Sequence, residues 1–454
     1  MLVPADGSTR LRVELVWLTR LQCRLRGPGA HATNVFMIEF EEISGPHGVP
    51  IYFQRLPVNT VSLYWLMFVG SADDDEAGGH GIYHWFEHIP SRGTEKFPGG
   101  YLDTEARLVR HGGGSSAETG STHTGFSADI PKRVWPDALD ILADMIARPL
   151  LRLEDIEAER EIILQEIDEW HSAPYSQSLC RLGEALWSGH PLGHDQLGTK
   201  ETLQSIDPKL LRKAHEQGYS RNRSALFVAG DIEKSQLLDV VGSCFERVPD
   251  TALSPRKRPA TYGKLPEWKA GETTIVETNH EDSIVYLLFP LPGFVEGSVD
   301  ELIQWDFVDE VFSAGELGSP LNRLVRENSQ LAYSPGFVSN SYPDGGYAGL
   351  VAQTSVEPER VVEAFWQLIR GKEIRDPDWL EYVRDTIRGA IEMHDPDAGV
   401  YTEEGSASLV NYGRVLCDDE FAGAMLGYRD SQVHEWLEKF TPESAHTVIF
   451  RGES

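Results

Sequence analysis

Three side chains within five residues could do metal chemistry: His84, Glu87 and His88, in the stretch Gly81-Ile-Tyr-His84-Trp-Phe-Glu87-His88-Ile89. Read as a helix, the stretch puts all three on one face, because residues three and four apart are neighbours there. Two imidazoles one turn apart can grip a single zinc ion. A carboxylate beside them, free of the ion, can act as a base toward water. Two protein ligands leave such an ion underligated, since catalytic zinc usually takes three. A third is expected from a helix spanning Leu153 to Trp170, whose inward face reads Ile156, Glu159, Ile163, Glu166, Ile167, Trp170. Acids on an apolar stripe are costly unless paired or metal-bound. Glu166 is therefore placed as the third ligand. Glu159, seven residues earlier, is placed as the hydrogen-bond partner that fixes a ligand histidine's orientation and tautomer.

The elements that must hold these residues alternate between strands and helices. Asn34–Phe40, Val49–Phe53 and Val61–Val69 are rich in β-branched and aromatic residues and read as strands. An acidic run, Asp73-Asp74-Asp75-Glu76, reads as a solvated loop before the metal helix. Residues 99–110 read as a helix with Leu102, Ala106 and Val109 on one side, Ser115 to Ile130 as a strand, and Ala138 to Ala147 as an amphipathic helix. Ser224 to Asp231 is a strand ending in a turn, and the prolines between 248 and 272 mark a linker. Beyond it the order returns: Ser283–Phe289 and Gly345–Thr354 as strands, Pro358–Arg370 and Pro377–His394 as helices. With His394 laid on His171, Gly389 stands where Glu166 does, so only the first copy carries ligands. The expected fold is α+β: two homologous α/β sandwich domains, each a mostly antiparallel sheet covered by helices. The expected domains are 1–247, which binds the metal, and 273–454, which has no metal site, joined by the linker 248–272.

A chain of 454 residues exceeds a single core. Its net charge of −30 argues against nucleic acid and would favour cationic ligands, although solubility explains such a charge equally well. No apolar run is long enough to span a membrane. The amino terminus resembles neither a secretory signal nor a transit peptide. Cys23, Cys180, Cys244 and Cys417 are too scattered for a metal site and read as free thiols in a reducing, cytoplasmic setting.

His-x-x-Glu-His inverts the common zinc-protease order. Around it stand Gly70-Ser71, Arg92-Gly-Thr94, Gly99-Gly-Tyr-Leu-Asp103, Glu159-Arg160, Gln165-Glu166-Ile167, His190-Pro-Leu-Gly193, Val228-Ala-Gly-Asp231, Leu321-Asn-Arg-Leu-Val-Arg326 and Leu331-Ala-Tyr333. In this combination the chain resembles the pitrilysin/insulinase-type inverzincin metallopeptidases, in the two-domain branch that includes mitochondrial processing peptidases and bacterial relatives. The resemblance implies a zinc-dependent endopeptidase with His84, His88 and Glu166 as Zn2+ ligands and Glu87 as general base. It implies that Tyr333 stabilises an oxyanion, that Arg326 grips substrate, and that an extended peptide lies along Ser115, Ser116, Ala117 and Thr119. It further implies a dimer chamber, either a homodimer or a heterodimer with a zinc-less homologue. A non-catalytic structural or substrate-binding subunit is the alternative. Departures from the family pattern are Ser116 in place of an asparagine, the bulky Trp85 and Phe86, and Gln330 in place of a glycine.

Overall fold

The computed structural model describes residues 38–295, 299–393 and 397–453. These form two compact units that interleave in sequence. One comprises residues 38–167, 194–260 and 397–417; the other takes 168–193, 261–393 and 418–453. A single cut at 248–272 therefore misses two exchanges: a helical segment at 168–193 goes to the second unit, and one at 397–417 returns to the first.

The first unit is built on a six-stranded sheet of order β1-β2-β6-β3-β5-β4. Its strands are β1 (Glu41–Ser44), β2 (Pro50–Arg55), β3 (Thr60–Met67), β4 (Gly114–Thr119), β5 (Thr124–Pro131) and β6 (Ser224–Gly230). β2 and β6 run parallel and the other pairs antiparallel. β3 and β6 sit in the centre and read as nearly unbroken apolar runs because both of their faces are covered. The helices that matter for the site are α1 (Ile82–His88), α2 (Trp135–Ala147) and α3 (Leu153–Ser172). A later helix, α4 (Ala398–Tyr412), covers the other face of the sheet, where Leu409 and Val410 join Tyr52, Tyr64, Leu66, Phe68 and Phe227.

The second unit repeats the pattern. Its sheet has the order β7-β11-β8-β10-β9, from β7 (Thr273–Glu277), β8 (Ser283–Leu291), β9 (Gly336–Tyr342), β10 (Gly345–Thr354) and β11 (His446–Arg451). The outer pair β7 and β11 is again parallel, and the rest are antiparallel. Strand for strand this is β2-β6-β3-β5-β4, in the same chain order. Both units follow the fourth strand of that order, β5 and β10, with a helix carrying Pro in its first turn and then a longer one, Pro358–Arg370 and Pro377–Glu392 in the second. The mixed helices and sheets make the fold α+β.

Local expectations differ from the structure in four places. Ser115 to Ile130 is a hairpin, β4 and β5 joined at 120–123, because Gly120 turns the chain. Residues 99–110 form only a short 3-10 turn and the helix Glu105–Val109; Leu102 and Val109 face solvent and Leu108 is the buried one. Within the acidic run Asp73 and Asp74 are buried. In the strand expected at 34–40, residues 38–40 lie outside any strand; the rest of it, Cys23 and His394 fall outside the described residues.

One buried acid ties this framework together. Asp144 of α2 accepts hydrogen bonds from Thr94 Oγ1 (2.6 Å), the Lys96 N–H (2.9 Å), Arg148 Nε (2.8 Å) and Arg247 (3.2 Å). Burial pushes its pKa up, but these donors outweigh it and hold the carboxyl below the usual carboxylate range. Its contribution is thus present above the ordinary carboxylate pKa of about 4 and fades as pH falls through the depressed folded value. Asp144→Ala should destabilise the first unit by about 3–5 kcal/mol at pH 7, as expected for breaking a buried pair. Urea unfolding should show that difference, and it should narrow below about pH 4.

Candidate metal centre

The metal helix begins at a backbone position that excludes a side chain. Gly81 has φ +84°, and a Cβ there would meet the Leu197 carbonyl at 2.7 Å. Asp74 caps the first turn: the Gly81 N–H donates to Oδ2 (2.6 Å) and the Tyr83 N–H to Oδ1 (3.2 Å). A carboxylate here satisfies two amides that the helix leaves unpaired and faces the positive end of its dipole. Between the chemical residues, Trp85 and Phe86 point into the core and are fully buried. Trp85 lies under the Arg160 guanidinium of α3 (4.8 Å), and Phe86 packs on Tyr219 (4.9 Å). The bulky pair thus anchors α1 from behind, so that His84, Glu87 and His88 present one common face.

On that face four groups converge. His84 Nε2 and His88 Nε2 are 3.4 Å apart, Glu166 Oε2 stands 3.3 Å from His88 Nε2 and 3.8 Å from His84 Nε2, and Glu87 Oε2 lies 3.9 Å from His84 Nε2. Ligands bonded at about 2.0–2.1 Å to a tetrahedral zinc ion stand about 3.3–3.4 Å from one another. The two histidines and Glu166 fit that triangle with small adjustments. Their chemistry, two imidazoles and one carboxylate, suits a borderline cation. Both rings and Glu87 are nearly enclosed, and Glu166 is 15% exposed.

Glu159 organises the site from beneath. Its carboxylate is 1% exposed; Oε1 lies 3.0 Å from His88 Nδ1 and Oε2 accepts from Arg92 Nε. Burial would raise its pKa, but the bonds from His88 and Arg92 prevail and hold it below the ordinary range. With Nδ1 engaged, His88 turns Nε2 toward Glu166. Burial opposes charge on this ring, yet hydrogen bonds to Glu159 and Glu166 raise its pKa to about 10. A cation at His88 therefore competes with a proton. Arg92 itself is steered by Tyr101, 5.2 Å below its guanidinium. Arg152 clamps this loop by donating to the carbonyls of Arg92 (2.9 Å) and Pro98 (3.2 Å).

Among the described residues β4 is the edge strand of its sheet, paired with β5 alone. Thr119 Oγ1 donates to the Tyr83 carbonyl (3.4 Å), so alternation puts Ser115, Ala117 and Thr119 on the face that carries α1, with Ser116 on the opposite one. Arg326 and Tyr333 belong to the second unit. Arg326 sits in a π-helical segment, Arg323–Asn328, and Tyr333 is 63% exposed, with its N–H donated to the Gln353 carbonyl of β10. Gln330 between them has φ +51°, a left-handed conformation that explains why a glycine is at home there.

Asp74 and Arg92 were not assigned these jobs from sequence. Asp74 is hidden in an acidic run whose burial no spacing reveals. The only signal for Arg92 is that a buried Glu159 needs a cation as well as a histidine. Glu159→Gln keeps the shape but weakens the hold on His88; zinc affinity should fall about 10–100-fold, measured by chelator competition. An unchanged affinity would leave Glu159 a structural role only.

The model for Insulinase (Peptidase family M16) matches residues 51–200, and that for the Peptidase M16 inactive domain matches residues 205–378. A Rickettsia bellii protein described as an uncharacterized zinc protease is 22% identical over 406 residues, covering 89% of this chain and 95% of its own. The mitochondrial-processing peptidase subunit beta of Saccharomyces cerevisiae is 24% identical over 387 residues, 83% of each chain. Among solved structures, a protease from Helicobacter pylori aligns with a TM-score of 0.79 over 91% of this chain and 99% of its own, at 17% identity. The inactive-domain structure from Pseudomonas fluorescens aligns at 0.76 over 92% and 98%, also at 17% identity. With both family models matched in order along the chain, and its two-unit fold shared, the protein belongs to the insulinase-type M16 peptidase family.

Proposed function

We propose that this protein is a zinc-dependent endopeptidase acting on extended or unfolded peptide segments. The observation that carries the reading is the convergence of His84, His88 and Glu166 within 3.3–3.8 Å of one another, close to the separations about a tetrahedral ion, with a second carboxylate, Glu87, beside them. A non-catalytic subunit needs no such base.

When bound, zinc supplies Lewis-acid polarisation and charge neutralisation at the scissile carbonyl. His84, His88 and Glu166 would hold it. Glu87 accepts the proton of the attacking water and passes it to the leaving amine. The outer edge of β4 receives the peptide as an added strand, with main-chain hydrogen bonds for grip and alternate side chains facing α1. Ser116, shorter than the family's asparagine and on the far face, contributes through its backbone. Arg326 and Tyr333 bind the substrate backbone and stabilise the oxyanion. In a homodimer another chain's second unit brings them, which gives two sites per pair; a zinc-less homologue would serve the same purpose in a heterodimer. The mitochondrial-processing peptidase relatives support such pairing. Among the described residues no helix is long and apolar enough to cross a membrane.

Glu87→Gln should retain zinc while cleavage of a mixed unstructured peptide library falls by about 10²–10⁴-fold, the usual worth of a general base. Mass spectrometry of the products and metal analysis of the same sample give both readings. Equal cleavage by wild type and variant removes Glu87 from the mechanism. Wild type that holds zinc, is supplied with every candidate partner chain and still cleaves nothing points to the non-catalytic subunit.

A further inference from the structure

A second group of metal-ligating side chains stands just ahead of the metal helix and shares no residue with the first. Asp75, His80 and His194 all belong to the first unit. One donor atom from each lies within 4.8 Å of the other two. His80 Nε2 is 2.9 Å from Asp75 Oδ1, and His194 Nε2 is 3.7 Å from Asp75 Oδ2. The two imidazole rings lie face to face, with centroids 4.1 Å apart and 26° between planes. The stack turns both Nε2 atoms toward the same carboxylate.

The stacked pair thus presents two imidazole nitrogens to one carboxylate, a set of donors that a single cation can bridge. One divalent cation satisfies all three donors together. We propose that Asp75, His80 and His194 form a second site for a borderline divalent cation, zinc or its cobalt and nickel analogues. Two imidazoles and a carboxylate match these ions, whereas magnesium and calcium prefer all-oxygen shells. Of the distances to Asp75, one (2.9 Å) is shorter and the other (3.7 Å) longer than the about 3.3 Å between ligands of a tetrahedral ion, so the side chains must adjust on binding. Asp75 is 59% exposed and free to swing; His194, 9% exposed, is the fixed member. Solvent on the Asp75 side completes the coordination.

The site has a mechanical consequence. His80 sits among Gly78, Gly79 and Gly81, with φ +107° at Gly78 and +84° at Gly81, so little intrinsic stiffness holds the turn that launches α1. Asp75 and His80 flank that turn, and His194 follows Gly193 in a different part of the chain. A cation bound by all three pins the start of the metal helix to residue 194, much as a disulfide would, without touching His84 or His88.

The test is stoichiometric and needs no substrate. Metal-depleted protein is titrated with Co2+ alone and followed by absorption, and with Zn2+ alone by calorimetry. Wild type should take two equivalents. His80→Ala/His194→Ala should take one, and His84→Ala/Glu166→Gln should also take one, now at the second site. Zinc should raise the Tm of the latter variant, and adding Asp75→Asn should abolish that rise. If the alanine pair does not fold, His194→Gln provides the same count. The proposal is overturned if wild type binds one equivalent and His84→Ala/Glu166→Gln binds none, or if His80→Ala/His194→Ala still binds two. Loss of metal only in the His84 variant would leave the peptidase reading standing while removing this site.

Discussion

The site depends on a single buried carboxylate. Glu159 is at once the acceptor for His88 and the counter-charge for Arg92, and it is almost wholly withdrawn from solvent. A lone acid at that depth would be costly and would tend to stay protonated. Flanked by an imidazole and a guanidinium it stays ionised, fixes the tautomer of His88 and couples α1 and the following loop to α3. Because α3 also carries Glu166 two turns later, the same contact that orients a histidine sets the register of the third candidate ligand. The separations of 3.3 and 3.8 Å from Glu166 to the two histidines follow from that register.

The rest of the first unit holds α1 still. A seven-residue helix is too short to be stable by itself. It is fixed by Asp74 at its start, by Trp85 and Phe86 buried behind it, and by the loop that Asp144 and Arg152 clamp after it. Each of these presses on backbone or core rather than on the convergent face that carries His84, Glu87 and His88. The second unit uses the same topology differently: its corresponding helix offers no His-x-x-Glu-His, and Arg326 and Tyr333 are among its exposed side chains.

Periodicity made much of this legible. His84, Glu87 and His88 share a face by spacing, and Glu159 and Glu166 stand out because acids interrupt an apolar stripe. The repeat of strands and helices foretold two sheets of matching order. What spacing could not carry was direction and depth. Nothing local distinguishes a buried Asp74 from the exposed Asp75 beside it. Leu102 and Val109 look like core by pattern, but one lies in a 3-10 turn and the other ends a short helix, and both face solvent. The exchange of 168–193 and 397–417 between units is set by long-range packing, such as Leu409 and Val410 against β3 and β6, which one-dimensional reading does not see. Relatives at 22–26% identity name the family and leave those side chains to the structure.

The most direct measurement of the central claim is anomalous diffraction at the zinc edge from crystals grown with zinc. The account predicts a peak within bonding distance, about 2.0–2.2 Å, of His84 Nε2, His88 Nε2 and a Glu166 oxygen, with Glu87 outside that distance. A peak that excludes Glu166 or takes Glu87 as a ligand, or no peak on this face of α1, would contradict it.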